Sequence, residues 1–270
     1  MAKTPTSTVP APAKTNPPAK PLDFERDAGA GLEGADKDSY AIPFLVILQP
    51  LSPQVAQGTV AGAKPGMLLN SVTNELFEEA LIVPCAFQRR WVRWAPRETG
   101  GGFKGELSAV ETQELIAKGE IKSIDNRLFF KAPDSTFNER RSDRLSDTRN
   151  HYVLVLRSED DAAPRPMVLA LASTGIKHSK NFMSRIESIK LRRQNGTLYT
   201  PPSFSHLYAM KTVKQSNEKG TWWSPDITTH GPVKSSELYE MAKAFHDSVT
   251  TGGVQVAHDS VAEDSGTGAF

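Results

Sequence analysis

The sequence predicts a strand-rich α+β fold, on three observations. Apolar runs such as LIVPCA, HYVLVL and PMVLALA are short and read as buried strands. Turn residues separate such runs, as at Thr73-Asn74 and from Asn217 to Gly220. Apolar residues recur at helical spacing in three stretches, 110–118, 177–193 and 235–249.

A chain of 270 residues is long enough to bury a real core in one large domain or two small ones. The formal net charge of +1 gives no global basic excess, so the placement of charge matters more than its sum. One cysteine, Cys85, excludes an internal disulfide and a Cys-rich zinc site, and its apolar surroundings imply an inert buried thiol. The N-terminus carries no apolar signal region, and no apolar run approaches the ~18 residues of a membrane span. An intracellular, soluble protein is expected.

Residues 1–21 are Ala, Pro, Thr and Lys with almost nothing to bury, so a disordered, weakly basic arm is expected. Gly29-Ala-Gly31-Leu-Glu-Gly34 is formally a dinucleotide fingerprint. Its flanks, PLDFERDA and ADKDSY, supply neither the strand nor the helix that phosphate binding needs, which makes it an entry loop. Tyr40 to Leu48 is an apolar run that Pro43 marks as an edge strand. GMLLNSV, a turn and ELF form a hairpin leading into a strand over Leu81–Trp94. Pro96 and Gly100 to Gly102 end that strand in a loop. A helix over Val110–Lys118 and a strand at Leu128–Phe130 follow. The polar stretch Asn138–Asn150 reads as a solvated loop or exposed helix. Strands at His151–Leu156 and Pro166–Ala172 precede a helix from Lys177 to Arg193, with Thr174 as its N-cap and Asn195-Gly196 as its end. Phe204–Val213 and TWWSPDI form a second hairpin, and Ser235–Val249 is the last helix. From residue 250 the chain is glycine-rich and acidic, and it ends on Phe270.

The densest chemistry is Phe87–Trp94, FQRRWVRW. In a strand, Phe87, Arg89, Trp91 and Arg93 share one face, and Gln88, Arg90, Val92 and Trp94 the other. Rings flanked by guanidiniums suit single-stranded nucleic acid, where rings stack on bases and arginines hold phosphates. The same residues also suit a structural tryptophan cluster whose arginines pair with nearby carboxylates. Two further features point toward binding. Between Lys177 and Lys219 the only acids are Glu187 and Glu218, and Tyr199, Tyr208, Trp222 and Trp223 lie in or beside that region. The tail beyond residue 250 carries Asp259, Glu263 and Asp264 with no lysine or arginine. Together these match an OB-type ssDNA binder: charge to track a backbone, rings to stack on bases and a short-stranded β body.

Catalysis has little support. The six histidines are scattered, and no nucleophile elbow, zincin motif or repeated carboxylate pair occurs. Asp143 and Asp147 invite a metal reading, but alternating charge signs mark a solvated face more often. Pro133-Asp134 and Pro225-Asp226 lack the Asp/Glu-x-Lys element of a nuclease at short range. No enzyme, metal or cofactor is expected.

The segments Ile42–Val55, Gly66–Thr73, Val83–Phe103 and Thr200–Trp223 resemble those of tailed-bacteriophage single-stranded DNA-binding proteins. The resemblance runs from about Ala28 to Val233. It rests on Arg-Arg-Trp, Trp-x-Pro-Arg, Gly-Gly-Gly-Phe and Asn-x-Lys-Gly-x-Trp as they stand here. It implies a replication and recombination accessory in the host cytoplasm, with an acidic tail that recruits a phage polymerase or recombinase. The acids of this tail stand several residues before Phe270, unlike the usual form.

The expected architecture is therefore an OB-like barrel with inserted loops and flanking helices. A disordered arm and entry loop occupy residues 1–36, the binding core 37–249 and a flexible acidic tail 250–270. Candidate DNA contacts are Arg89, Arg90, Trp91, Arg93, Trp94, Arg97 and Phe103, with a second group of Lys190, Arg192, Arg193, Lys211, Lys214 and Trp222. Asp259, Glu263, Asp264 and Phe270 are the candidate partner-docking residues, and a homo-oligomer is compatible with this reading. The rival readings are a phage structural or interaction protein, with the Arg–Trp stretch as a protein interface, and a metal-dependent nuclease.

Overall fold

The computed structural model describes residues 24–35, 40–218, 220–252 and 255–256. The chain divides into two units, Met1–Asp36 and Lys37–Phe270. In the first, the described residues form successive turns, with Gly29 and Gly31 at positive φ. The expected basic arm at residues 1–21 lies outside the described residues.

The second unit is strand-rich α+β. Its elements begin with β1 (Ala41–Ile42), β2 (Leu45–Ile47), α1 (Pro53–Ala56), β3 (Leu68–Asn70), β4 (Leu76–Phe77) and β5 (Ala80–Trp94). A 3-10 turn at Arg97–Thr99 leads to β6 (Phe103–Ser108), α2 (Ala109–Ala117), β7 (Ile121–Ile124), β8 (Arg127–Phe130) and β9 (Arg144–Leu156). After these come β10 (Arg165–Ala172), α3 (Gly175–Ser188), β11 (Leu191–Arg192) and β12 (Leu198–Tyr199). The last are β13 (His206–Asn217), β14 (Gly220–Pro232), α4 (Ser236–Thr250) and β15 (Gln255–Val256).

Eight strands make one curled antiparallel half-barrel around the long β5–β9 pair. One edge of β5 receives β13 at Ala80–Ile82 and β6 at Arg90–Trp94; β9 pairs β10 and β8 on its far edge. The middle of the sheet is buried on both faces, which is why LIVPCA, HYVLVL and PMVLALA read as unbroken apolar runs rather than alternating ones. Ile82, Val153, Val155, Met167, Leu169, Tyr208 and Met210 face Phe182 of α3 and Leu45, Ile47 and Leu68 of the smaller sheet β2-β3-β4. Val83, Tyr152, Leu154, Leu156 and Val168 face Leu238, Ala242, Phe245 and Val249 of α4. Burying each Val, Leu, Ile, Phe or Met side chain among these stabilises the fold by about 1.5–3 kcal/mol.

The small sheet spans from β10 to β14. At one end the Val168 amide donates to the Pro43 carbonyl at 2.9 Å, and Phe44 bridges Val168. At the other, the Gln49 amide imitates a strand: it accepts from Trp223 N at 2.8 Å and donates to Trp223 O at 2.9 Å. Gly66 lets the backbone pass beneath the Trp223 ring. A Cβ there would stand 2.5 Å from the ring, at a φ of +91°.

Three sequence-based expectations are corrected. Asn138–Asn150 is not a loop or helix throughout, because Arg144–Asn150 is the first half of β9. Its polar residues take extended form through pairing with β5, which local propensity does not report. The helix expected over Lys177–Arg193, α3, ends at Ser188. Ile189 is extended, and Asn195-Gly196 turns the β11–β12 hairpin with Gly196 at φ 84°. Thr174 is already helical and makes no side-chain cap. The chain beyond residue 250 is not wholly a free tail either, since Gln255–Val256 pair in parallel with Ala41–Ile42. Asp259, Glu263, Asp264 and Phe270 lie outside the described residues. Among the described residues no helix is long and apolar enough to cross a membrane.

Candidate nucleic-acid interface

A β-bulge decides which face each residue of the Arg–Trp stretch takes. The β5–β9 register shifts between Pro84 and Ala86, so Val83, Cys85 and Ala86 all belong to the α4 side. Beyond the bulge, Phe87, Arg89, Trp91 and Arg93 continue the face that α3 covers. Cys85 is fully buried, and burial pushes its thiol up to about 12.

On the α3 side, Phe87 packs on His151 at 5.0 Å between centroids, and His151 packs in turn on Phe182 at 5.2 Å. His151 Nε2 lies 2.8 Å from Ser179 Oγ. Burial, with help from the nearby Arg149 charge, pushes the imidazole down to about 3, so it is neutral near pH 7. Farther along, Arg89 makes a fork to Asp147, Nε to Oδ1 at 3.0 Å and Nη2 to Oδ2 at 2.7 Å. Arg149 grips the same carboxylate at 3.1 Å through both nitrogens. Burial works against the Asp147 charge, but the bonds from Arg89 and Arg149 outweigh it and hold the carboxyl below its usual value. The guanidinium of Arg89 lies 5.2 Å from the Trp91 ring centre. Arg93 bonds Asp143 at 2.6 Å and sits 3.8 Å over Phe130. The Arg89 side chain remains 41% exposed and that of Arg93 36%.

On the opposite face, Arg90 donates to Gln88 Oε1 at 3.1 and 2.8 Å and stands 3.8 Å from Glu106. The Tyr152 hydroxyl donates to the same Gln88 oxygen at 3.2 Å. Trp94 meets Phe103 edge-on at 6.1 Å, and Arg97 opens the 3-10 turn beyond it.

The first candidate group is thus gathered at one end of the β5–β9 pair. Lys211, Lys214 and Trp222 of the second group are not part of it. Lys190 bonds Glu187 and Thr200, Arg193 lies 4.7 Å over Tyr199, and Arg192 donates to the Gly196 carbonyl. These three belong to the segment after α3, not to a helix face. Lys211 and Trp222 share one face of the β13–β14 ribbon, and Lys214 is on the other. Met210 pairs with Ala80, and from there β13 and β5 run in opposite directions. From Arg89 back to Ala80 and on through Met210 to Lys214 is on the order of 40 Å of strand, at about 3.3 Å per residue. Lys211 and Lys214 therefore stand at the opposite end of the sheet from Arg89 and Arg93.

Sequence reasoning named Asp143 and Asp147 only as weak metal candidates; the structure makes them arginine partners. The signal was present as spacing. Arg89 and Arg93 are four apart, Asp143 and Asp147 are four apart, and antiparallel pairing sets Trp91 opposite Asp147. Phe130, Arg149 and Asn150 were not singled out, because only the register brings them to this site.

The family described as Pam3 phage gp34-like protein matches residues 12–255, most of the chain. The chain belongs to that family. No curated protein and no solved structure matches it. The family is a phage one, which fits the phage origin that the sequence resemblance implies, and its description names no ligand or activity.

Proposed function

We propose that this phage-family protein binds single-stranded DNA with little sequence preference, as an accessory of phage DNA replication and recombination in the host cytoplasm. The observation that carries the reading is the row Arg89, Trp91 and Arg93. Guanidiniums and an aromatic ring stand side by side on one strand face, held in place by carboxylates yet still partly exposed. Rings on such a face stack on bases whatever their identity, and guanidiniums follow the phosphates. On this reading the half-barrel with its small closing sheet is the OB-like body, and Trp94 and Phe103 are a further ring pair on the opposite face of the same strand. The Lys211, Lys214 and Trp222 ribbon is a second contact for a strand long enough to reach it. The acidic tail competes with DNA or docks a polymerase or recombinase.

The carboxylates are consistent with this role. Asp143 and Asp147 pre-orient the arginines, and the two unesterified oxygens of a phosphate can take the place of the two carboxylate oxygens they would displace. The test is a gel shift with a labelled oligonucleotide, with and without magnesium. A salt-sensitive shift without cleavage is expected. Absence of any shift overturns the proposal in favour of a phage structural or interaction protein, and magnesium-dependent cleavage overturns it in favour of a nuclease.

A further inference from the structure

Neither atom of the Asn150 side-chain amide has a hydrogen-bond partner, and the residue is only 1% exposed. A buried amide without partners is costly to keep, and its presence in a native interior calls for a reason. Its surroundings follow from the register. Asn150 stands in β9 between Gln88 of β5 and Ala170 of β10, on the face that also carries Tyr152. Gln88 cannot answer it through its oxygen, which already accepts from Arg90 and Tyr152. On the β10 side, Ala170 offers no polar atom beyond its backbone. The Arg90 side chain is 33% exposed, and Gln88 and Ala170 beside it are also partly exposed.

We propose that Asn150 is the floor of a subsite for one unstacked nucleobase, with adenine as the base it reads. This rests on the single-stranded DNA reading above. A carboxamide presents a donor and an acceptor side by side, and adenine presents N7 and the N6 amino group in the complementary order. Arg90 swings outward to admit the base and then lies against its plane, as guanidiniums do with splayed-out bases. The subsite lies on the α4 face, across the strand from the Arg89–Arg93 row, and is reached past Arg90, so it adds one reading contact on the second face to binding that is otherwise indifferent to sequence. It also explains why a polar amide persists where an apolar side chain of the same size would be more stable.

The full chain is titrated with fluorescent oligomers of equal length: deoxyadenosine, thymidine, deoxycytidine, and deoxyadenosine with 7-deazaadenine, which lacks the N7 acceptor. Wild type is expected to bind the adenine oligomer about tenfold more tightly than its 7-deaza counterpart, in the range of one bidentate base contact. Asn150→Leu, close in size, is expected to erase that difference and raise the melting temperature, because the unpartnered amide is gone. Equal binding of the adenine and 7-deaza oligomers by wild type overturns the subsite, whether or not the variant folds. A difference that survives in Asn150→Leu overturns the assignment to Asn150. Failure of wild type to bind any oligomer is a different result, because it removes the single-stranded DNA reading itself.

Discussion

Asp147 holds two guanidiniums at once, Arg89 and Arg149, with its side chain 17% exposed. If DNA phosphates take over those arginines, the carboxylate is their competitor. Asp147→Asn is then expected to tighten oligonucleotide binding at low salt by up to about tenfold. It is also expected to steepen the salt dependence by roughly 0.7 in log–log slope for each extra phosphate engaged. Fluorescence titrations at several salt concentrations measure both, and a weaker-binding variant would mean that the carboxylate organises the site rather than competing for it. His151 makes a separate residue-scale prediction. Its pKa falls from 6.5 in the unfolded chain to about 3 in the fold, so below pH 6.5 the unfolded state binds the extra proton. The contribution is fully present above pH 6.5 and is lost as pH falls toward 3, by up to about 1.4 kcal/mol per pH unit. His151→Gln, which keeps a hydrogen-bonding group near Ser179, should flatten that acid limb in urea unfolding measured between pH 7 and pH 4.

At the scale of elements, the small sheet β2-β3-β4 is fastened by unequal seams. Toward β10 it uses a backbone bond and a bridge, and toward β14 the two bonds of one side chain, Gln49. Removing Gln49 leaves a strand-edge N–H and C=O at Trp223 without these partners. Gln49→Ala is therefore expected to destabilise the protein by about 1–3 kcal/mol. Hydrogen exchange should show faster opening at Leu68–Asn70 and at the Trp223 amide, with the β5–β9 core unchanged. Uniform loss of protection across the core would contradict the seam. The same scale shows why α3 was expected to be longer than it is. Its basic residues continue at helical spacing past Ser188, but Gly196 lets the chain reverse as a hairpin, and a hairpin turn reads in sequence much like a helix stop.

For the whole molecule, the useful quantity is where charge gathers rather than the net of +1. The Arg89–Arg93 row and the Lys211–Lys214 ribbon lie at opposite ends of the sheet, so a short oligonucleotide should engage one and a long one both. The residues beyond Val256 leave from the strand paired with Ala41–Ile42, and they carry the acids and no lysine or arginine. A tethered anionic segment acts at high effective concentration. Deleting residues 257–270 should therefore tighten oligonucleotide binding at low salt, with the gain shrinking as salt screens the tail. Titrations of full-length and truncated chains at two salt concentrations check this, and equal affinities at both would remove the tail from the binding equilibrium.

The sequence alone determined the strand-rich class, the two hairpins, the last helix and the alternation of Phe87 to Trp94 across two faces. Those are set by local patterns: apolar period, turn residues such as Asn74, and caps such as Ser235, which accepts from the Leu238 amide at 3.1 Å. It also placed Cys85 correctly as a buried thiol, because the other five residues of LIVPCA are all apolar or small. Tertiary structure alone decided that Arg144–Asn150 is a strand, because those polar residues are extended only where β5 pairs with them. It alone decided, through the bulge at Pro84–Ala86, which side of the sheet the arginines share with α3. The partners of those arginines and the isolation of Asn150 lie in the same category. Pairing between strands more than fifty residues apart is a matter of register, and register is written in no single stretch of the chain.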